Sequence, residues 1–448
     1  MTTSVDKLPA DAVTTPTSRA ASVADSLPLW AAIAIVFTSN TCIMVLELVA
    51  SRILAPAIGQ SLYTWTSIIG IMLAGISLGN WLSGHYADRL ASRRVVGLVF
   101  ILAGLLALSV IPIGSWVAAN GAATGLPLAL RIVLFTALVF FLPGVSLGLI
   151  SPMVIKLTLR NLSKSGSIVG RIYAFSTLGN IVGTFLTGFY LISAFPTNTI
   201  VLVAAAVLLV VGLLIGRERL FRAEPAAPFT PLAVSGPVTT PAINPDQALS
   251  PALAMGIVFI ANVSIMSLEL VASRVLAPVM GVSLYTWTSI IGTVLAGMAL
   301  GNWIGGWLAD RVASRRSAAW IFILAGAITL LIIPLGHWVV LKGIPPEWTL
   351  LGFTFKAPLV WRIVAYTGSI FFVPCVALGL LTPMVVKLTL NNLNTTGSIV
   401  GRIDASATFG SIIGTFLTGF WLISTFGTRA IILGVGAVLL AMALLIGR

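Results

Sequence analysis

From residue 29 to the end of the chain, long apolar stretches alternate with short polar turns. About 20 apolar residues form a helix that crosses a bilayer, since hydrocarbon offers a backbone N–H no partner outside the helix itself. The pattern predicts helices near 29–55, 62–86, 95–117, 131–158, 169–193 and 197–216. It predicts six more near 252–277, 284–308, 317–340, 360–389, 400–424 and 428–447. The expected fold class is an all-α polytopic membrane protein with twelve transmembrane helices.

The second set of helices repeats the first. LELVASRILAP at 46–56 returns as LELVASRVLAP at 268–278, and SLYTWTSIIG at 61–70 returns at 283–292, an offset of 222. GSIVGRI at 166–172 and GTFLTGF at 183–189 return at 397–403 and 414–420, an offset of 231. The second copy has therefore gained nine residues, which the spacing places in the loop around 341–360. The expected organisation is a disordered cytoplasmic tail (1–27), a six-helix repeat (28–222), a Pro-rich cytoplasmic linker (223–251) and a second six-helix repeat (252–448). The linker holds seven prolines, which favour extended chain over packed structure. An even number of spans per copy orients both copies alike. Two parallel repeats about an axis along the membrane normal are a known transporter plan.

Composition excludes the alternatives. Hydrophobic residues make up 58 % and charged residues 8 %, too few charges to cover a soluble globule. The net charge of +13 reads as loop charge obeying the positive-inside rule, with no nucleic-acid partner. Arg89, Arg93, Arg94, Lys156, Arg160, Lys164, Arg217, Arg219, Arg222, Arg311, Arg315, Arg316 and Lys387 all fall on one side. The other side carries few charges (Lys342, Glu347, Lys356). That side is the cytoplasm if the N-terminus is cytoplasmic, and both termini are then expected there. The polar start of the chain has no signal-peptide pattern. Cys42 and Cys375 lie in apolar runs, and His85 and His337 are far apart, so neither a metal site nor a cofactor is expected. No nucleophile motif is present, and no catalytic residue is assigned: the chain is not expected to be an enzyme.

Acidic residues are costly in hydrocarbon and mark candidate sites. Glu47, Glu269 and Asp404 lie in or at the edge of spans. Asn40, Glu47 and Ser51 stand at i, i+7 and i+11, which at 100° per residue makes one polar stripe. Asn262, Glu269 and Ser273 repeat it. Such a stripe should face a cavity or a partner helix. Two stripes about a twofold axis would set two carboxyls around one central pathway, binding a solute or a proton. In the other reading each Glu is tied to an arginine and braces helices. Arg52, Arg274, Arg131 and Arg362 are the possible charge partners, although Arg52 and Arg274 lie about 140° round the helix from their glutamates. Asp404 replaces Tyr173 of the first copy. It would bind a solute or ion, or pair with Arg402 or Lys387. The small-xxx-small pairs Gly75/Gly79, Gly297/Gly301, Gly179/Gly183 and Gly410/Gly414 suit close helix packing, and equally a sliding surface. Pro143, Pro152, Pro374 and Pro383 should kink or break helices 4 and 10.

GHYADRLASRR at 84–94 and GWLADRVASRR at 306–316 resemble the signature loop between helices 2 and 3 of the major facilitator superfamily, with one extra residue before the Arg pair. The resemblance implies a cytoplasmic gate at Asp88, Arg89, Asp310 and Arg311. The string LELVASRxLAP…SLYTWTSIIG…LAGxxLGNW…ADR resembles the transmembrane part of bacterial membrane-bound spermidine-synthase-like proteins, described as fused major facilitator/spermidine synthases. Those proteins carry a soluble aminopropyltransferase domain with a Gly-rich nucleotide loop. Residues 1–448 contain no such segment, so the enzyme activity is not expected to carry over. The implied function is alternating-access, proton-coupled transport of a small polar, cationic, polyamine-like solute. The alternative is a non-transporting scaffold for a separate synthase-like subunit. Partners are then the lipid bilayer and a small-molecule solute.

Overall fold

The computed structural model describes residues 27–90, 92–120, 125–158, 165–217, 249–312, 314–342, 347–350, 353–356, 358–389 and 396–447. Among these, twelve helices are long and apolar enough to cross a membrane. They are α1 (Leu29–Ile58), α2 (Leu62–His85), α3 (Arg93–Asn120), α4 (Leu128–Thr158), α5 (Gly170–Ala194) and α6 (Thr197–Gly216). The second set is α7 (Pro251–Met280), α8 (Leu284–Ala309), α9 (Arg315–Trp338), α10 (Leu359–Thr389), α11 (Gly401–Thr425) and α12 (Gly427–Gly447). The expected tail, apart from Leu27, and the expected linker, apart from its last three residues, lie outside the described residues.

The chain punctuates these helices with residues that cannot continue them. Pro28, Pro127, Pro196 and Pro358 stand just before α1, α4, α6 and α10. Ser250 caps α7, accepting a bond from the Leu253 N–H, with Pro251 at the first helical position. Gly59 and Gly281, at φ +75° and +71°, close α1 and α7 in a conformation that other residues rarely adopt, and turn the chain straight into α2 and α8.

The helices pair identically in both repeats: α1 with α5, α2 with α4, α3 with α6, and likewise α7 with α11, α8 with α10, α9 with α12. Glycines permit these contacts. Gly75 and Gly79 lie against Phe141–Gly148 of α4, and Gly297 and Gly301 against Cys375–Gly379 of α10. Gly179 and Gly183 sit on Phe37 and Thr41, and Gly410 and Gly414 on Phe259 and Val263. A methyl group at any of them would overlap the neighbouring helix. All four pairs lock helices within one repeat, so the sliding-surface reading fails for them.

α4 breaks at Leu149 and α10 at Leu380, three residues before Pro152 and Pro383. Each proline lacks the N–H that would bond to Gly148 or Gly379 and crowds that carbonyl. Pro143, by contrast, sits inside unbroken helix, and Pro374 follows a π-helical turn at Gly368–Phe372. Matching π-helical turns interrupt α5 at Leu186–Leu191 and α11 at Leu417–Leu422. The region of the nine extra residues is a hairpin where a loop was expected. β1 (Glu347–Leu350) pairs antiparallel with β2 (Phe353–Lys356), Trp348 opposite Phe355.

Candidate functional site

The two repeats meet along α2 against α11 and α8 against α5. Trp65 and Trp287 hold the same place in the two copies and stack on each other, with centroids 4.7 Å apart and planes 17° from parallel. They are 2 % and 1 % exposed. Tyr63 stacks on Phe420 at 5.3 Å, and Phe189 approaches Tyr285 at 6.3 Å. Gly419 faces the Thr66 side chain and Gly188 faces Thr288 so closely that neither position has room for a Cβ. Phe416 and Phe185 press likewise on Gly70 and Gly292. The π-helical turns of α5 and α11 carry Gly188, Phe189, Gly419 and Phe420 into this seam. It closes the end of the molecule that bears the Gly59 and Gly281 turns.

Beneath the seam lie the two acids. Glu47 and Glu269 are buried, at 7 % and 6 % exposure. Glu47 stands eleven residues before the end of α1, ~16 Å below the Gly59 turn, whereas Trp65 is three residues into α2, only ~5 Å below it. The two hold equivalent places in α1 and α7, near enough for the charge of Glu269 to bear on Glu47. Among the described residues neither carboxyl has a hydrogen-bond or ion-pair partner. Two buried carboxyls that repel and lack a compensating cation can be satisfied by a proton or by an entering positive group.

The rest of each stripe is buried and already bonded. Asn40 Nδ2 donates to the Val36 carbonyl at 2.8 Å, and Asn262 Nδ2 to Val258 at 2.9 Å. Ser51 and Ser273 donate to the carbonyls of Leu48 (3.0 Å) and Leu270 (2.7 Å) in their own helices. The stripe of α7 faces α11, where Ser411 donates to Asn262 Oδ1 at 3.3 Å. Asn180 takes the place of Ser411 in the first repeat, and its buried Oδ1 has no partner among the described residues. The glutamates are the stripe members whose side chains make no hydrogen bond among the described residues.

Of the expected charge partners, Arg52 and Arg274 are exposed, and Arg131 and Arg362 are half-buried. The five-residue separation sends each α1 or α7 arginine off a different side of the helix from its Glu. Asp404 is exposed and stands near its counterpart Tyr173, towards the end of α5 and α11 opposite the seam. The structure does not bring it to the Glu47–Glu269 pair. Arg311 lies over the Trp307 ring, 3.9 Å from its centroid, in the manner of a cation on a π face. The side chains of Asp88, Arg89 and Asp310 lie outside the described residues.

Sequence reasoning missed the aromatic seam. The signal was present: SLYTWTSIIG is identical in both copies, and a residue on a twofold axis must fit its own counterpart.

The whole architecture matches a solved one. A bacterial homologue of the human lysosomal transporter Spinster, in an inward-facing and unoccupied conformation, superposes with a TM-score of 0.54, covering 97 % of this chain and 95 % of that one at 15 % identity. The two chains share a fold. It makes the chain a multi-pass membrane protein of two six-helix bundles. No protein-family model matches the sequence. Over 154 residues, 34 % of this chain, it is 27 % identical to polyamine aminopropyltransferases 1 and 2 of Ralstonia nicotianae. The chain spans about a quarter of the length of those relatives (28 % and 27 %).

Proposed function

We propose that the protein is a secondary transporter that moves a small cationic solute past Glu47 and Glu269. The observation that carries this reading is the pair itself. Two buried carboxyls hold equivalent places in the two bundles, near enough for one charge to bear on the other, with no ion-pair partner among the described residues and an aromatic seam above. Like charges in low dielectric repel strongly, so the pair gains from any cation that reaches both. A polyamine offers ammonium groups a few methylenes apart, which suits two nearby acids. A proton on one carboxyl and one ammonium on the other satisfies the pair equally well and couples flux to a proton gradient. The likeness to polyamine aminopropyltransferases supports the choice of solute.

The basic loops favour cytoplasmic termini and an inner-membrane location. The Trp65–Trp287 seam is then the outer closure. Solute enters from the cytoplasm, neutralises the pair, and lets one bundle rock against the other until the seam parts. The test is spermidine flux in proteoliposomes under an imposed pH gradient. The wild-type protein should move labelled spermidine, Glu47→Gln and Glu269→Gln should each slow it at least tenfold, and the double variant should abolish it. Unchanged proton-linked flux in the double variant overturns the site. The same likeness favours a second reading, a scaffold for a separate synthase-like subunit. No flux by the wild type together with a co-purifying aminopropyltransferase would put that reading in its place.

A further inference from the structure

A cavity of about 370 Å³ opens beside the seam, and its walls come from both bundles. Leu62 and Tyr63 of α2 form one wall, and Arg274, Ile423, Ser424 and Thr428 of the second repeat form the other. No Asp or Glu lines it, so the Arg274 guanidinium sets its charge. Ser424 and Thr428 add hydroxyls, and Leu62 and Ile423 add apolar surface. Gly427 also lines it and starts α12 at φ +74°, with nothing within 4 Å of where a side chain would begin. The first-turn N–H groups of that helix have no partners within it.

The first repeat keeps Arg52, Ser193 and Thr197 in the places of Arg274, Ser424 and Thr428, and differs at the helix start. Pro196 stands where the second copy has Gly427, and Asn198 where it has Arg429, which is exposed two residues into α12. Proline has no N–H to offer and fills the space that glycine leaves. Phe189, the counterpart of Phe420, approaches Trp361 at 6.4 Å, a residue whose counterpart is Leu130. The copies therefore differ at the start of their last helix, where the second has a glycine in place of proline and an added arginine nearby.

We propose that this cavity binds an anionic phosphate group, either the headgroup of an anionic lipid or free inorganic phosphate. The fork of Arg274 suits a phosphate oxygen pair, and the Thr428 hydroxyl and helix start complete the cradle, while the Ser424 hydroxyl already donates to the Phe420 and Trp421 carbonyls. The volume is in the range of small-ligand pockets. Because Tyr63 belongs both to the cavity and to the Tyr63–Phe420 stack, an occupant holds the two bundles together at the seam and favours the closed state. The site stands apart from the glutamate pair, and its binding is measured without any flux.

The test uses the full chain in phosphatidylcholine nanodiscs, titrated with inorganic phosphate, and in nanodiscs of increasing phosphatidylglycerol content without phosphate. Thermal unfolding reads occupancy. At least one probe should raise the unfolding midpoint of the wild type and of Arg52→Gln. The apparent affinity should be at least tenfold weaker in Arg274→Gln and in Gly427→Pro, which copies the first repeat. A response to phosphate alone identifies the free ion, and a response to phosphatidylglycerol alone identifies the lipid. If neither probe shifts the wild type, or if Arg274→Gln responds as the wild type does, the proposal is overturned.

Discussion

Replacing Trp65 by alanine should open the seam. The indoles of Trp65 and Trp287 are almost wholly buried against each other, and parting the bundles would wet both. An aromatic pair contributes ~1 kcal/mol beyond burial. An aromatic side chain buries about 200 Å², and wetting a third of that on each partner at ~25 cal/mol per Å² adds roughly 3 kcal/mol. Alanine at residue 65 removes the stack and most of its own share, a bias of about 2–4 kcal/mol against the closed state. At 1.4 kcal/mol per tenfold this shifts the equilibrium about 30-fold or more. A protein that is about 99:1 closed would fall to about 3:1 or below. Gln60 and Val282 are exposed counterparts at the turns after α1 and α7, one on each bundle, and native Cys42 and Cys375 are buried. Spin labels on Gln60→Cys and Val282→Cys therefore report the separation of the bundles at this end by pulsed electron resonance. The wild type should give one short distance, Trp65→Ala an added longer population, and Trp65→Phe an intermediate pattern. An unchanged distribution in a folded Trp65→Ala protein would refute the claim that the stack holds the seam.

Three further outcomes follow from the same contacts. Glu47→Gln and Glu269→Gln should leave the thermal unfolding midpoint equal or higher, because each replaces a buried ionisable carboxyl that has no ion-pair partner among the described residues. A loss of roughly 3–5 kcal/mol, the usual effect of breaking a buried ion pair, would contradict the unpaired geometry. Ser267 and Thr418 share a hydrogen bond of 2.7 Å, while the first repeat has Val45 in place of Ser267 and leaves the Thr187 hydroxyl without a partner. Val45→Ser should therefore stabilise by about 1 kcal/mol and Ser267→Val destabilise by about as much, measured by unfolding in detergent. Gly419→Ala, whose new Cβ meets the Thr66 side chain, should lengthen the Gln60–Val282 distance much as Trp65→Ala does.

The twelve spans were legible because the bilayer leaves so little choice: a run of about 20 apolar residues has to be a helix. The ends of α1 and α7 were placed three residues short, at 55 and 277, where Gly59 and Gly281 mark the turns. The hairpin at 347–356 was not legible, since two four-residue strands in an outer loop carry no long-range period. Glu47 and Glu269 stood out as acids in apolar runs, but their nearness depends on how two distant helices pack. Arg52 and Arg274 are near the acids in sequence, and the helix turns them away. Trp65 and Trp287 were hidden because a tryptophan in an apolar span looks like any other core residue until its partner is known.

Binding of labelled spermidine to the purified, detergent-solubilised chain tests the central claim most directly, since it needs neither a gradient nor a working cycle. Two nearby carboxyls should give one saturable site per chain, weakened at least tenfold by Glu47→Gln or Glu269→Gln and absent when both are changed. Undiminished saturable binding in the double variant would show that the acids are not where the solute sits.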